Sequence, residues 1–221
     1  MRRPLPVLLC LALLLAMLLP LNHFLFAPGA GARADDSHGG KNDNTPAPQR
    51  LIHGEKVNCR RPAPAAEQLD PPTTSSLSGA QKFSAGEHFK ENIAPSAEVR
   101  IAWLGATFMR RFAIKIEDAD GETVLQFHTV LRPSRDSHLI EELDDRHETR
   151  LADLWCLLKV QASGEPGTLL TDAVPNIFYV RDSSGVLGAV DAVWGGAGWE
   201  IGASPIDGER MWPVGVRVMS R

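Results

Sequence analysis

The sequence predicts one α+β domain over residues 96–221, in which an N-terminal helix, a strand and further helices precede a four-stranded antiparallel meander with the helices packed on one face. Three observations predict it. The last third, Asn176 to Arg221, is rich in β-branched and aromatic residues punctuated by Gly, Asp and Ser, which is what strands and tight turns require. Ahead of it, Ile101, Leu104, Phe108, Phe112 and Ile116 recur at helical spacing, as do Leu151, Leu154, Trp155 and Leu158. Between these stripes, Leu125, Phe127, Thr129 and Leu131 alternate with Val124, Gln126, His128 and Val130, the period of a strand. About 125 residues suffice for one domain of this kind.

From the start of the chain, Met1-Arg2-Arg3 precedes an apolar run from Leu5 to Leu19, the pattern of an export signal. Ala30-Gly31-Ala32 and Ala32-Arg33-Ala34 fit a cleavage site, while Leu5 to Ala27 is long enough to span a bilayer, for which about 20 residues are needed. Residues 1–34 therefore read as a signal peptide or a retained N-terminal anchor. The basic start places the rest outside the cytoplasm in either case, as a periplasmic or secreted protein if cleaved and a membrane-anchored one if not. Residues 35–95 are rich in Pro, Ser, Gly, Asn and charge and read as a disordered spacer, with Leu51-Ile52 and Phe83 to Phe89 as its apolar islets.

The domain opens with a helix at 97–117, capped by Ser96, with Gly105 as its weak point and Asp118-Ala119-Asp120-Gly121 as its stop. A strand follows to Leu131, then a short helix at 137–143. A longer helix starts at Asp145, whose spacing to Glu148 matches a capping box, and ends at Ser163-Gly164. The meander comprises Ile177 to Val180, the turn Asp182-Ser183-Ser184-Gly185, Val186 to Trp194, Gly195 to Gly198, Trp199 to Ala203, and a closing strand from Met211 to Met219. This element order is similar to that of the cone-shaped NTF2-like domains, and the resemblance of arrangement implies a cone with an interior pocket.

Residues 96–221 hold 13 Lys and Arg against 19 Asp and Glu. A net charge of that sign without a basic stripe excludes nucleic acid as a natural partner. Cys59 and Cys156 are compatible with a disulfide in an exported chain, or with two free thiols. No histidine pair has metal-ligand spacing, and His128, opposite in phase to Phe127, reads as a surface or edge residue. The acidic cluster Glu141, Glu142, Asp144, Asp145 and Glu148 is explained by helix starts and solvation, and no metal or other cofactor is expected. The glycines between Trp194 and Trp199 precede a strand, so they form a hairpin turn and not a phosphate loop.

Two strand charges stand out. Asp191 shares a face with Leu187, Ala189 and Val193, and Arg181 shares one with Ile177 and Tyr179. A charge among apolar neighbours needs a partner or water. Trp194, Trp199 and Trp212 together with Arg181 are the candidate ligand-binding residues; Asp191, His128 and Tyr179 are the weak catalytic candidates. The expected protein is an exported, non-enzymatic binding or interaction module on a flexible stalk. Its partner would be a protein or small ligand of the envelope, with the membrane reached only through the N-terminal segment. The alternative is a small cone-type enzyme or ligand-binding domain that uses Asp191 in an aromatic pocket.

Overall fold

The computed structural model describes residues 48–59, 82–118 and 123–221. The expected signal peptide or anchor (1–34), and residues 35–47 and 60–81 of the expected spacer, lie outside the described residues. Described structure already begins with a strand at Leu51–Cys59, well before the expected boundary at 96. Among the described residues, no helix is long and apolar enough to cross a membrane.

The chain starts with β1 (Leu51–Cys59), β2 (Lys82–Ser84), α1 (Ala85–His88), β3 (Ile101–Leu104), α2 (Ala106–Arg111) and β4 (Ile116–Asp118). It continues through β5 (Thr123–Val130), β6 (Ser134–Arg135), α3 (Asp136–Leu143), a 3-10 turn (Asp144–His147), β7 (Glu148–Thr149) and α4 (Leu151–Val160). The last part holds β8 (Asn176–Arg181), β9 (Leu187–Trp194), β10 (Trp199–Pro205), β11 (Met211–Trp212) and β12 (Arg217–Ser220). Among the described residues strand outweighs helix, 40% to 22%, and one eight-stranded mixed sheet dominates. Its order is β1-β5-β12-β8-β9-β10-β3, with β7 also on β8. The expected N-terminal helix, four-stranded meander and NTF2-like cone are thereby overturned.

Both faces of this sheet are buried, which explains the unbroken run Ile177-Phe178-Tyr179-Val180. Phe178, Val180, Val190, Ala192, Ile201 and Met219 pack in one core with Phe108 of α2 and the leucines of α4. Ile177, Tyr179, Ala189, Val218, Val130 and Leu51 face the other way, into a core closed by Leu139 and Leu143 of α3 and by Trp212. Covering Leu154, Leu157 and Leu158 alone contributes about 1.5–3 kcal/mol each. The result is three layers, helix, sheet and helix, and not helices on one face.

The expected helix at 97–117 fails at a bulge. Trp199 pairs with Ile101 and Glu200 pairs with Trp103, so Ala102 is an extra residue in β3. The bulge brings Ile101 and Leu104, three apart, into the same core, and so mimics helical spacing in a strand. Only Ala106–Arg111 is helical, and Ile116 is an exposed strand residue. The spacer assignment fails at both islets, since β1 pairs along its length with β5 and Phe83, Ala85 and Phe89 are buried. Sequence composition cannot reveal a strand whose partner lies seventy residues away (roughly) in the chain.

The helix after the 3-10 turn also starts later than Asp145. Leu151 and Ala152 donate backbone N–H bonds to Glu117 at 3.2 and 2.9 Å, and the Arg150 N–H donates to Asp153 at 2.8 Å. Asp153 and buried Glu117 thus satisfy the first-turn donors that Asp145 and Glu148 were expected to serve. Cys156 on α4 is joined to Cys59 at the end of β1, with Cα atoms 5.9 Å apart. β8, β9 and β10 pair antiparallel in chain order, but as part of the eight-stranded mixed sheet and not as the expected four-stranded meander. The expected closing strand splits, because Gly215 (φ 91°) turns the chain between β11 and β12. β11 pairs with β6 in a separate ribbon, and β12 enters the middle of the sheet between β5 and β8.

Candidate functional site

Directly paired residues project to the same side of a sheet. Asp191 pairs with Ile177 and Gly202, Ile177 with Val218, Val218 with His128, and His128 with His53. Asp191 and His128 thus belong to one row on the α3 side. Three strand spacings separate them, roughly 14 Å, with Ile177 and Val218 between. They do not converge on a common atom, so the arrangement expected of an acid/base pair is absent from this row.

His128 is fully buried, not a surface residue. Its Nδ1 meets Nδ1 of His53 at 2.8 Å and its Nε2 meets the Ser220 hydroxyl at 2.8 Å. Burial, with the neighbouring His53 and Arg146, lowers its pKa to about 4. A neutral imidazole with both nitrogens engaged is a structural pin across β1, β5 and β12. Phe127, which was expected to be the buried neighbour, is half-buried under the guanidinium of Arg217, 4.5 Å from its ring centroid.

The tryptophans do not form one shelf. Trp194 and Trp199 lie on the α4 side, edge to face at 5.5 Å, and the Trp199 indole donates to the Gln161 carbonyl at 2.9 Å. Trp212 lies on the α3 side. Arg181 sits at the exposed end of β8 and pairs with Glu148 at 2.9 Å.

What the structure does bring together is Asp191, Tyr179 and Trp212, joined by two residues the sequence did not single out. Asp136 opens α3 and is buried. Its Oδ1 accepts the Tyr179 hydroxyl at 2.8 Å and the Trp212 indole N–H at 2.6 Å, whereas its Oδ2 is buried with no hydrogen-bond partner. Arg210 comes from the turn between β10 and β11 and lays its guanidinium over the Trp212 ring, 3.7 Å from the centroid. One of its nitrogens reaches Asp191 and the Ser204 hydroxyl, each at 3.4 Å. Gly202 lies opposite Asp191, where an added Cβ would sit 3.1 Å from both carboxylate oxygens, so the glycine keeps that approach open.

Burial pushes the carboxyls of Asp136 and Asp191 above the usual range. The two indole and hydroxyl donors and Arg210 pull Asp136 back only in part, and Asp191 adds its own repulsion. Burial also raises the Tyr179 hydroxyl, and the Asp136 charge raises it further. Tyr179 is therefore a fixed donor and not a base. The outcome is a largely buried cluster of two uncomfortable carboxyls and two aromatic side chains, covered by one exposed arginine. No local pattern marks Asp136, since an acidic residue at a helix start is ordinarily explained by the dipole. Arg210 sits in the polar run Asp207-Gly208-Glu209-Arg210, which reads as a turn.

Comparison with known proteins finds no matching family model, no matching curated protein and no matching solved structure.

Proposed function

We propose that the folded unit is a non-enzymatic binding module working outside the cytoplasm, with the cluster of Asp136, Trp212, Arg210 and Asp191 as its ligand site. The observation that carries this reading is Oδ2 of Asp136, a buried carboxyl oxygen that takes no hydrogen bond although its twin takes two. A buried, unsatisfied acceptor costs about 1–3 kcal/mol and more if charged. A ligand that supplies the missing hydrogen bond would offset this cost. Export is supported by the basic and apolar start of the chain and by the Cys59–Cys156 bridge, which persists in oxidising compartments.

The test is a melting experiment on the full chain with small cations, anions, zwitterions and saccharides. A bound ligand at a hundredfold excess over Kd stabilises by about 2.7 kcal/mol. One chemical class is expected to raise Tm by several degrees in the wild type and not in an Asp136→Asn/Asp191→Asn double variant. A shift that survives the double variant, or no shift with any class, would refute the site. A compartment reporter fused after Arg221 tests export separately.

A further inference from the structure

We infer that a groove bounded by α1, β3 and α2 binds a small amphiphilic carboxylate, with its alkyl chain on Phe89, Leu104 and Ala113 and its head at the Lys90 ammonium. This site is independent of the cluster around Asp136. Phe89, Leu104 and Ala113 belong to the core on the α4 side of the sheet, and Trp212 to the other.

The groove has a cavity of about 510 Å³, within the roughly 300–1,000 Å³ usual for small-molecule sites. Its floor is firm. Phe89 is held edge to face by Phe108 at 5.2 Å and by Trp155 at 5.5 Å, and Leu104 and Ala113 are buried beside it. Its walls include Met109 and Ile114, 45% and 66% exposed. Exposed apolar side chains gathered around a groove, unlike those scattered singly, mark a binding surface.

The neighbouring sheet edge argues against an added protein strand. β3 ends the strand order of the large sheet, but its outer donors are taken. The Ile101 N–H donates to the Asn92 carbonyl at 3.0 Å, and the Leu104 N–H donates to Oε1 of Glu91 at 2.9 Å. A strand is recognised chiefly by such backbone groups. What the groove offers instead is apolar contact and charge.

Two charged residues line it, Lys90 and Glu91. The Glu91 carboxylate is already engaged by the Leu104 N–H, whereas the Lys90 ammonium makes no hydrogen bond or ion pair among the described residues. A ligand carboxylate answers the unpaired charge. An alkylammonium would meet Lys90 with like charge and find Glu91 engaged, and a neutral alcohol would leave Lys90 as it stands.

The experiment titrates the full chain with octanoate, octylammonium, octanol and acetate, and reads binding by calorimetry and by the Met109 methyl resonance. The variants are Lys90→Gln and Ile114→Asn, both at exposed positions where folding is not at stake. Octanoate is expected to shift the Met109 resonance saturably and to bind at least fivefold more tightly than octylammonium or octanol, with acetate unbound. Lys90→Gln should abolish the advantage over octanol, and Ile114→Asn should weaken octanoate threefold or more. No Met109 shift with octanoate, equal affinity for the three eight-carbon compounds, or tightest binding of octylammonium overturns the proposal. So does a ranking untouched by Lys90→Gln, or an affinity untouched by Ile114→Asn, which would place the binding elsewhere in the chain. The small ions and saccharides that test the Asp136 cluster carry no alkyl chain, so either site can fail without the other.

Discussion

Two aspartates of the β8–β9 hairpin meet arginine in opposite ways. Asp182, at the turn, takes a 2.7 Å bond from Arg111 and backbone N–H bonds from Ser184 and Val186, each at 2.9 Å. Although burial alone would raise it, these donors hold its carboxyl below the ordinary range. Asp191, mid-strand, has a single arginine contact at 3.4 Å, and burial leaves its carboxyl raised. A carboxylate surrounded by backbone donors is part of the scaffold. One shielded from water but held by a single loose, exposed cation is left with binding capacity. The pair thus separates structure from site within one hairpin.

The largest effect should come from the scaffold side. Asp182→Ala removes three acceptor bonds at a buried charge and leaves Arg111 unpaired, so urea unfolding should show a loss of about 3 kcal/mol. A loss below 1 kcal/mol would break the comparison. A control comes from His128, a buried group held neutral. Its pKa of about 4 lies below the ordinary 6.5, so the unfolded chain binds its proton first. Stability is therefore full above pH 6.5, falls as pH drops towards 4, and is flat below. Between pH 7.5 and 4.5 the loss assigned to this residue is about 2.5 kcal/mol. It is measured as the difference between wild type and His128→Gln at the two pH values.

A double-mutant cycle sharpens the contrast directly. Coupling between Asp182 and Arg111 should be about 1.5–3 kcal/mol, and that between Asp191 and Arg210 about 0.5 or less. The smallest expected change is in Asp191→Asn, which should be neutral or slightly stabilising because it removes a poorly compensated charge. A loss of several kcal/mol there would make Asp191 a structural residue like Asp182.

The hairpin was legible in the sequence because its signals are local. Gly185 (φ 81°) supplies the turn, and β-branched residues flank it. The alternation correctly placed Asp191 with Leu187 and Ala189 on one face. Elements whose identity depends on distant partners were not legible. Ile101 and Leu104 imitate a helix because of a bulge, β1 is a strand through its pairing with β5, and β12 joins neighbours far away in the chain. The site divides in the same way. Asp191, Tyr179 and Trp212 stood out as polar or aromatic residues in strands, while Asp136 and Arg210 carry ordinary local roles and gain their meaning from tertiary contact. His128 was misplaced because alternation assigns one wet face to a strand, and β5 belongs to a sheet buried on both.

The position of β12 has a consequence for how the protein is made. This strand follows all others among the described residues, yet it hydrogen-bonds β5 on one side and β8 on the other. Until residues 217–220 emerge, the β1–β5 pair has no link through the sheet to β8, β9, β10 and β3. The two cores cannot close early during synthesis, so the sheet stays without its final packing until β12 has been made. A sheet joined through β12 is thus a built-in delay to closing either core.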